Sequence, residues 1–136
     1  MTEEKKIKVL LAKAGLDGHE RGVSILQLGL QDEGMDVTYT GIRQTPEVIA
    51  DEAVKEHVDV VGISSMAGAH KFFMPEIVQL LRKKGAGNVL VIAGGIIPDE
   101  DRSFLAEAGI SAVFGPGSTI KEIADYIREH TKNKKK

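Results

Sequence analysis

The sequence contains no cysteine and no tryptophan, and only 4% of its 136 residues are aromatic. Without cysteine, the chain has neither a disulfide framework nor thiolate metal ligands. Its apolar runs are much shorter than the roughly 20 residues of a membrane span. Residues 1–6 also lack the apolar segment of a signal peptide. We therefore expect a cytoplasmic protein that does not bind membranes.

The net charge of the chain bears on its binding partners, and its length on the number of domains. A formal net charge of -2 gives no basic excess of the kind that indicates nucleic-acid binding. A chain of 136 residues suits one domain with its own core. We expect this domain over residues 1–131 and a disordered, lysine-rich tail over 132–136, which is too short to indicate nucleic acid.

Strand and helix signals alternate along the whole chain. Short runs rich in Val, Ile and Leu predict strands at 7–12, 37–40, 58–64, 88–93 and 110–114. Helices are predicted at 20–33, at 46–57 after a Thr45 cap, from about Phe73, from 98 to a glycine at 109, and from a Ser118 or Thr119 cap to about 130. Proline should lie near a helix start, so Pro75 predicts a long loop before the third helix.

The alternation predicts an α/β fold, a doubly wound, flavodoxin-like parallel sheet of five strands with helices on both faces. In the expected 2-1-3-4-5 order, ligands bind beyond the carboxyl ends of the strands, commonly between strands one and three. The loops at 13–22, 64–70, 94–98 and 115–118 all leave those ends, and glycine and small hydroxyl residues concentrate there. Fold and composition therefore predict a ligand site at the same edge.

His19 lies in the first of these loops, two residues after Asp17. Histidine is the commonest metal ligand, and a carboxylate that accepts its second ring N–H fixes the tautomer. Alternatively, Asp17 caps the following helix and Glu20 completes a capping box. Lys13 either pairs with Asp17 or lies on the surface. One histidine cannot form a zinc site of protein ligands alone, so a metal at His19 would bring a macrocycle with it.

The other polar candidates have simpler interpretations. His57 at a helix end and His130 near the tail are expected on the surface, whereas His70 either faces the site or caps a helix. Ser64 either donates a hydrogen bond to a ligand or satisfies a turn.

Other cofactors of this fold class have less support. The glycines at 15, 18 and 22 do not form a dinucleotide fingerprint. The edge loops lack aromatic partners for a flavin, and Ser64 stands where a phospho-receiver would have its acceptor aspartate. No activated nucleophile or acid–base pair is evident. We therefore expect a binding domain for a bulky cofactor, with no catalytic residue of its own.

Three separated motifs resemble the DxHxxG…SxL…GG pattern of cobalamin-binding domains. They are Asp17-x-His19-x-x-Gly22, Ser64-x-Met66 and Gly94-Gly95, with 41 and 27 residues between them. Met66 replaces the leucine of the pattern, and the two side chains have similar volumes. The surrounding residues resemble those of acyl-CoA mutases of the methylmalonyl-CoA mutase type.

The resemblance implies that adenosylcobalamin binds with its benzimidazole displaced from cobalt by histidine. His19 would then be the axial cobalt ligand, Asp17 its hydrogen-bonding partner, and Lys13 a partner of Asp17. The cofactor-binding residues implied in this way are Asp17, Gly18, His19, Gly22, Ser64, Met66, Gly94, Gly95, Gly115 and Gly117.

The resemblance also implies a function shared with a second chain. In these isomerases the cofactor's cobalt–carbon bond supplies a radical for a carbon-skeleton rearrangement, while a separate barrel binds the acyl-CoA. The chain would be the small subunit or the carboxyl-terminal domain, inactive without its large partner subunit. Alternatives are the small subunit of an isobutyryl-CoA or 2-hydroxyisobutyryl-CoA mutase, a non-catalytic cobalamin carrier or sensor, or an unrelated flavodoxin-like domain.

Overall fold

A computed structural model of the chain describes residues 7–13, 21–39, 45–65, 70–95, 99–114 and 118–131. The strands are β1 (Lys8–Lys13), β2 (Asp36–Tyr39), β3 (Val60–Ser65), β4 (Leu90–Gly95) and β5 (Ala112–Phe114). The helices are α1 (Arg21–Asp32), α2 (Pro46–Glu56), α3 (His70–Lys83), α4 (Asp99–Ala108) and α5 (Ile120–Thr131). No helix in these segments is long and apolar enough to cross a membrane.

The five strands form one parallel sheet in the order β2-β1-β3-β4-β5. This confirms the predicted doubly wound fold. The chain leaves β1 for β2 on one side and later returns to β3 on the other side, so the order reverses between β1 and β3. Because α1 packs on one face of the sheet and α3 on the other, this reversal is the point where folds of this type bind ligands, at the carboxyl edge.

Each face of the sheet has its own apolar core because successive strand residues point to opposite faces. Leu10 packs with residues of α2, α3 and α4, such as Ile49, whereas Leu11 packs with residues of α1 and α5, such as Ile127. We call these the α2–α4 face and the α1/α5 face. Strands covered on both faces explain the near-continuous apolar runs of the sequence.

The predicted helix caps are confirmed at three positions. Thr45 Oγ1 accepts a hydrogen bond from the Val48 amide at 3.3 Å, with Pro46 as the first helical residue. At α5, Thr119 Oγ1 accepts from the Glu122 amide at 3.1 Å, and Glu122 Oε1 accepts from the Thr119 amide at 2.9 Å. This reciprocal pair is a capping box. After α1, Gly34 has the positive φ of 92° that a helix-ending glycine adopts.

The prediction for the third helix was wrong. α3 begins at His70, three residues before the predicted start at Phe73, and Pro75 lies inside the helix. His70 is therefore the first helical residue, and only residues 66–69 connect β3 to α3. Proline removes one backbone hydrogen bond. Because Met74 and Ile77 on either side of it are fully buried, their packing outweighs that loss.

Two other sequence expectations need correction. Gly94 and Gly95 are the last residues of β4 and not the start of a loop, and Lys13 likewise is the last residue of β1, whereas Ser64 lies within a strand as predicted. The parallel ladder bonds backbone to backbone, so it continues through residues with little side chain. In α1, Leu28 is 64% exposed, because it lies two residues from the buried Leu30 and is out of phase with it.

Candidate functional site

The carboxyl ends of four neighbouring strands bring the separated motifs together. Lys13 at the end of β1 pairs in register with Ser64 of β3, and Ser64 pairs with Gly94 of β4. Gly94 in turn pairs with Phe114, the last residue of β5. Residues that are far apart in the sequence therefore form one row across the sheet, at the edge where the fold predicts a ligand.

The chain enters and leaves its loops along this row. Residues 14–20 connect Lys13 to α1, residues 66–69 connect β3 to α3, and residues 115–117 follow β5. Gly22 is the second residue of α1. The predicted site residues Asp17, Gly18, His19, Met66, Gly115 and Gly117 lie outside the described residues, and their roles stay predictions.

Two glycines reduce the side-chain bulk on the α1/α5 face near this edge. A β-carbon at Gly62 would lie 2.9 Å from Leu11 Cδ2, so the packing of β1 against β3 needs a glycine there. Gly94 lies two residues after Ile92, which belongs to the same face. The nearest described atom to a β-carbon at Gly94 is the Phe114 carbonyl oxygen, at 3.5 Å. The sequence interpretation missed Gly62, although an isolated strand glycine is a known signal of close approach.

The described histidines at helix ends lie away from this edge. His57 ends α2 in the left-handed conformation, with φ of 54°. His130, near the end of α5, stacks on Tyr126 with ring centroids 3.8 Å apart. Helices that follow parallel strands end at the opposite, amino edge, and both histidines are exposed. Their predicted surface positions are confirmed.

No group of three His, Cys, Asp or Glu side chains lies together as a metal site in the part of the chain that the structure describes. Of the atoms in the described residues, only the Phe114 carbonyl oxygen is given within 4 Å of a β-carbon at Gly94, so no described side chain fills the space beside this glycine.

A comparison with protein-family models matches residues 7–125 to the B12 binding domain. The chain belongs to the B12-binding domain family. This confirms the predicted cobalamin cofactor, and the row of Lys13, Ser64 and Gly94 agrees with the order of the family motifs in the sequence. Gly94, beside which no described side chain lies, fits such a cofactor, because a bulky ligand arm can approach a strand that has no side chain there.

The curated relatives to which this B12-binding domain is similar include acyl-CoA mutases. It is 45% identical over 131 residues to methylmalonyl-CoA mutase of Cereibacter sphaeroides, covering 93% of this chain but 18% of that protein. It is 44% identical over 126 residues to the 2-hydroxyisobutanoyl-CoA mutase small subunit of Aquincola tertiaricarbonis, covering 93% of each chain. The chain thus spans about a fifth of the methylmalonyl-CoA mutases and nearly all of the small subunit.

Solved structures confirm the fold. A cobalamin-binding protein from Desulfitobacterium hafniense superposes with a TM-score of 0.79 at 23% identity, over 93% of this chain and 60% of that chain. The receiver domain of the response regulator NarL from Mycobacterium tuberculosis gives a TM-score of 0.73 at 15% identity, over 95% and 98% of the two chains. One fold therefore serves ligand binding and phospho-signalling, and the site decides between them.

Proposed function

We propose that this chain is the cobalamin-binding small subunit, or the corresponding domain, of an adenosylcobalamin-dependent acyl-CoA mutase in the cytoplasm. The observation that carries the proposal is the match, over 93% of both chains, to a subunit named as the small subunit of such a mutase. The substrate is then an acyl-CoA thioester bound on a large barrel subunit. When bound, the cofactor supplies radical chemistry through its cobalt–carbon bond.

In this proposal the chain's own residues hold and orient the cofactor. His19 binds cobalt in place of the cofactor's benzimidazole, and Asp17 accepts a hydrogen bond from the second ring nitrogen and so fixes the tautomer. Lys13 pairs with Asp17. Ser64, Gly94 and Gly95, at the ends of β3 and β4, would hold the displaced arm of the cofactor. Support comes from the register that places Lys13, Ser64 and Gly94 side by side.

Paramagnetic resonance of the bound, reduced cofactor tests the proposed ligand. The protein is prepared with histidine labelled by the heavy nitrogen isotope, whose nuclear spin gives a different splitting from that of the cofactor's own benzimidazole nitrogen. We expect the heavy-isotope splitting in the wild-type chain and in His130→Ala, an exposed control at the opposite edge. His19→Ala should lose it. A wild-type spectrum with only the light-isotope splitting would contradict His19 as the ligand.

Capture of the tagged chain from its source cells tests the proposed assembly. We expect a large mutase subunit to be recovered with it and identified by mass spectrometry. The captured complex should isomerise methylmalonyl-CoA or 2-hydroxyisobutyryl-CoA when adenosylcobalamin is added, and the preferred thioester names the substrate. The chain alone should be inactive with both. Recovery of cobalamin-loaded chain without any mutase subunit would favour the carrier or sensor interpretation instead.

A further inference from the structure

Gly29 of α1 is in unusually close contact with Ile120, the first residue of α5. A β-carbon at Gly29 would lie 2.4 Å from Ile120 Cδ1, 2.8 Å from Cγ2 and 3.1 Å from Cγ1. Isoleucine branches at Cβ, so rotation of its side chain exchanges one γ-carbon for another and cannot clear the space. Gly29 therefore lets α5 approach α1 more closely than any other residue would allow.

This contact fixes where α5 meets α1 along its length. Both helices follow parallel strands, so both begin at the carboxyl edge and run in the same direction. Ile120 is the first residue of α5, whereas Gly29 is preceded in α1 by residues 21–28. Those residues correspond to about 12 Å of helix at 1.5 Å per residue. The first two turns of α1 thus extend past the start of α5, towards the ligand edge.

The other end of the helix pair is also held. Arg128 Nη2 of α5 donates to the carbonyl oxygen of Glu33 at 2.7 Å and to its Oε1 at 2.8 Å, just after the end of α1. Two contacts, Gly29–Ile120 and Glu33–Arg128, therefore hold α1 against α5, while Leu30 packs it on the sheet. The first residue of α1 is joined directly to residues 14–20, the loop with Asp17 and His19.

We propose that Gly29 is a positioning residue for the cobalamin-binding loop. By letting Ile120 pack directly on α1, it holds the start of this helix at the place from which His19 reaches the cofactor. The proposal rests on the function proposed above. Gly29 and Ile120 lie outside the three motifs. In this proposal they determine the fraction of bound cofactor whose cobalt is coordinated by histidine.

The test compares Gly29→Ala, Ile120→Ala and the double variant, with Leu28→Ala as a control at the exposed neighbouring position. Two quantities are measured on the whole chain below its unfolding temperature: the Kd for cobalamin from the visible spectrum, and the fraction of bound, reduced cofactor that shows the labelled-histidine splitting. Alanine is a better helix former than glycine, so a loss in Gly29→Ala would have to come from the contact with Ile120.

We expect Gly29→Ala to weaken cobalamin binding at least tenfold and to lower the histidine-coordinated fraction at saturation. Ile120→Ala removes all three crowded atoms, so Gly29→Ala should have no further effect in that background: the double variant should bind like Ile120→Ala, within about threefold, and show the same histidine-coordinated fraction as Ile120→Ala. Leu28→Ala should match wild type. Should Gly29→Ala not fold, Ile120→Phe enforces the same separation from the side of α5 and should show the same two losses.

The proposal is overturned if the folded Gly29→Ala or Ile120→Phe chain, saturated with cobalamin, shows the wild-type histidine fraction and a Kd within twofold. A lower unfolding temperature alone would indicate a purely structural contact and would also overturn it. Absence of cobalamin binding in wild type would overturn the proposed function, and this inference with it. The wild-type chain alone reveals this failure of the proposed function, whereas failure of the inference about Gly29 is seen only in the variants.

Discussion

Gly94 lies beside Phe114 in the sheet, and a β-carbon added at Gly94 would be 3.5 Å from the Phe114 carbonyl oxygen. That separation is ordinary van der Waals contact, so Gly94→Ala should change the free energy of unfolding by less than about 1 kcal/mol. The new methyl group would nonetheless occupy space at the ligand edge. We expect cobalamin binding to weaken by roughly tenfold, which corresponds to about 1.4 kcal/mol. Chemical denaturation and a spectral titration measure the two effects separately. Unchanged cobalamin affinity would show that the cofactor does not approach this strand.

Gly62→Ala should lower the stability of the fold and leave cobalamin affinity nearly unchanged, the reverse of Gly94→Ala. A β-carbon at Gly62 would lie 2.9 Å from Leu11 Cδ2, inside the core of the α1/α5 face. Overpacking of this kind costs about 1–3 kcal/mol, and Leu11 is only 2% exposed, so it has little room to move. We expect the variant to unfold at lower denaturant concentration, while the folded fraction binds cobalamin with nearly normal affinity. A fully stable Gly62→Ala chain would mean that the Leu11 side chain shifts without cost.

Removing the side chain that joins α5 to α1 should destabilise the fold moderately. Arg128→Met loses the hydrogen bonds to both acceptors of Glu33 and to Asp125 Oδ1, whereas Glu33→Gln only weakens the bond at Oε1, which becomes a neutral amide oxygen, and keeps the others. Both side chains are partly exposed, 41% and 33%, which limits the gain from their charges. We expect a loss of about 1–2 kcal/mol for Arg128→Met and at most half of it for Glu33→Gln. Equal losses in urea denaturation would show that the carbonyl contact contributes nothing.

Two helix-ending glycines form a matched pair. Gly34 and Gly109 both have positive φ, 92° and 109°, which alanine adopts only with strain. At Gly109 a β-carbon would also lie 2.7 Å from Val78 Cγ1, whereas no described atom lies within 4 Å of one at Gly34. We expect Gly34→Ala to cost about 1 kcal/mol and Gly109→Ala about 2–4 kcal/mol, because overpacking adds to the strain. Thermal unfolding of the two variants tests the difference. Equal losses would mean that Val78 moves aside freely.

The fold could be predicted from the sequence because strands buried on both faces appear as short apolar runs, and because Thr45 and Thr119 signal helix starts through their side chains. Strand ends that depend on backbone hydrogen bonds alone could not be predicted from the sequence. The strand ladder continues through Gly94 and Gly95, and nothing in their side chains indicates it. The start of α3 was misplaced because burial of its apolar face outweighs the local effect of Pro75.

The location of the candidate site could be predicted from the sequence, but not every contact that supports it. The edge followed from the alternation of strands and helices, and the register of Lys13, Ser64 and Gly94 agrees with it. The contact between Gly29 and Ile120 could not be predicted, because the two residues are adjacent only after α1 and α5 pack on the same face. A lone glycine in a helix predicts lower helix propensity but does not indicate which residue needs the space.

Asp17 has two interpretations that one substitution separates. If Asp17 holds the ring nitrogen of His19, its carboxylate is essential, and Asp17→Ala should weaken cobalamin binding by roughly 10–100-fold. If Asp17 only caps α1, alanine should cost about 1 kcal/mol of stability and change cofactor binding little.

Serine caps helices about as well as aspartate but brings no carboxylate. Asp17→Ser should therefore bind cobalamin as poorly as Asp17→Ala while keeping wild-type stability. Glu20→Gln, which keeps an acceptor for a capping box, serves as the control and should match wild type in both measurements. Wild-type cobalamin affinity in Asp17→Ser would leave capping as the role of Asp17 and would remove the predicted support for the His19 ring.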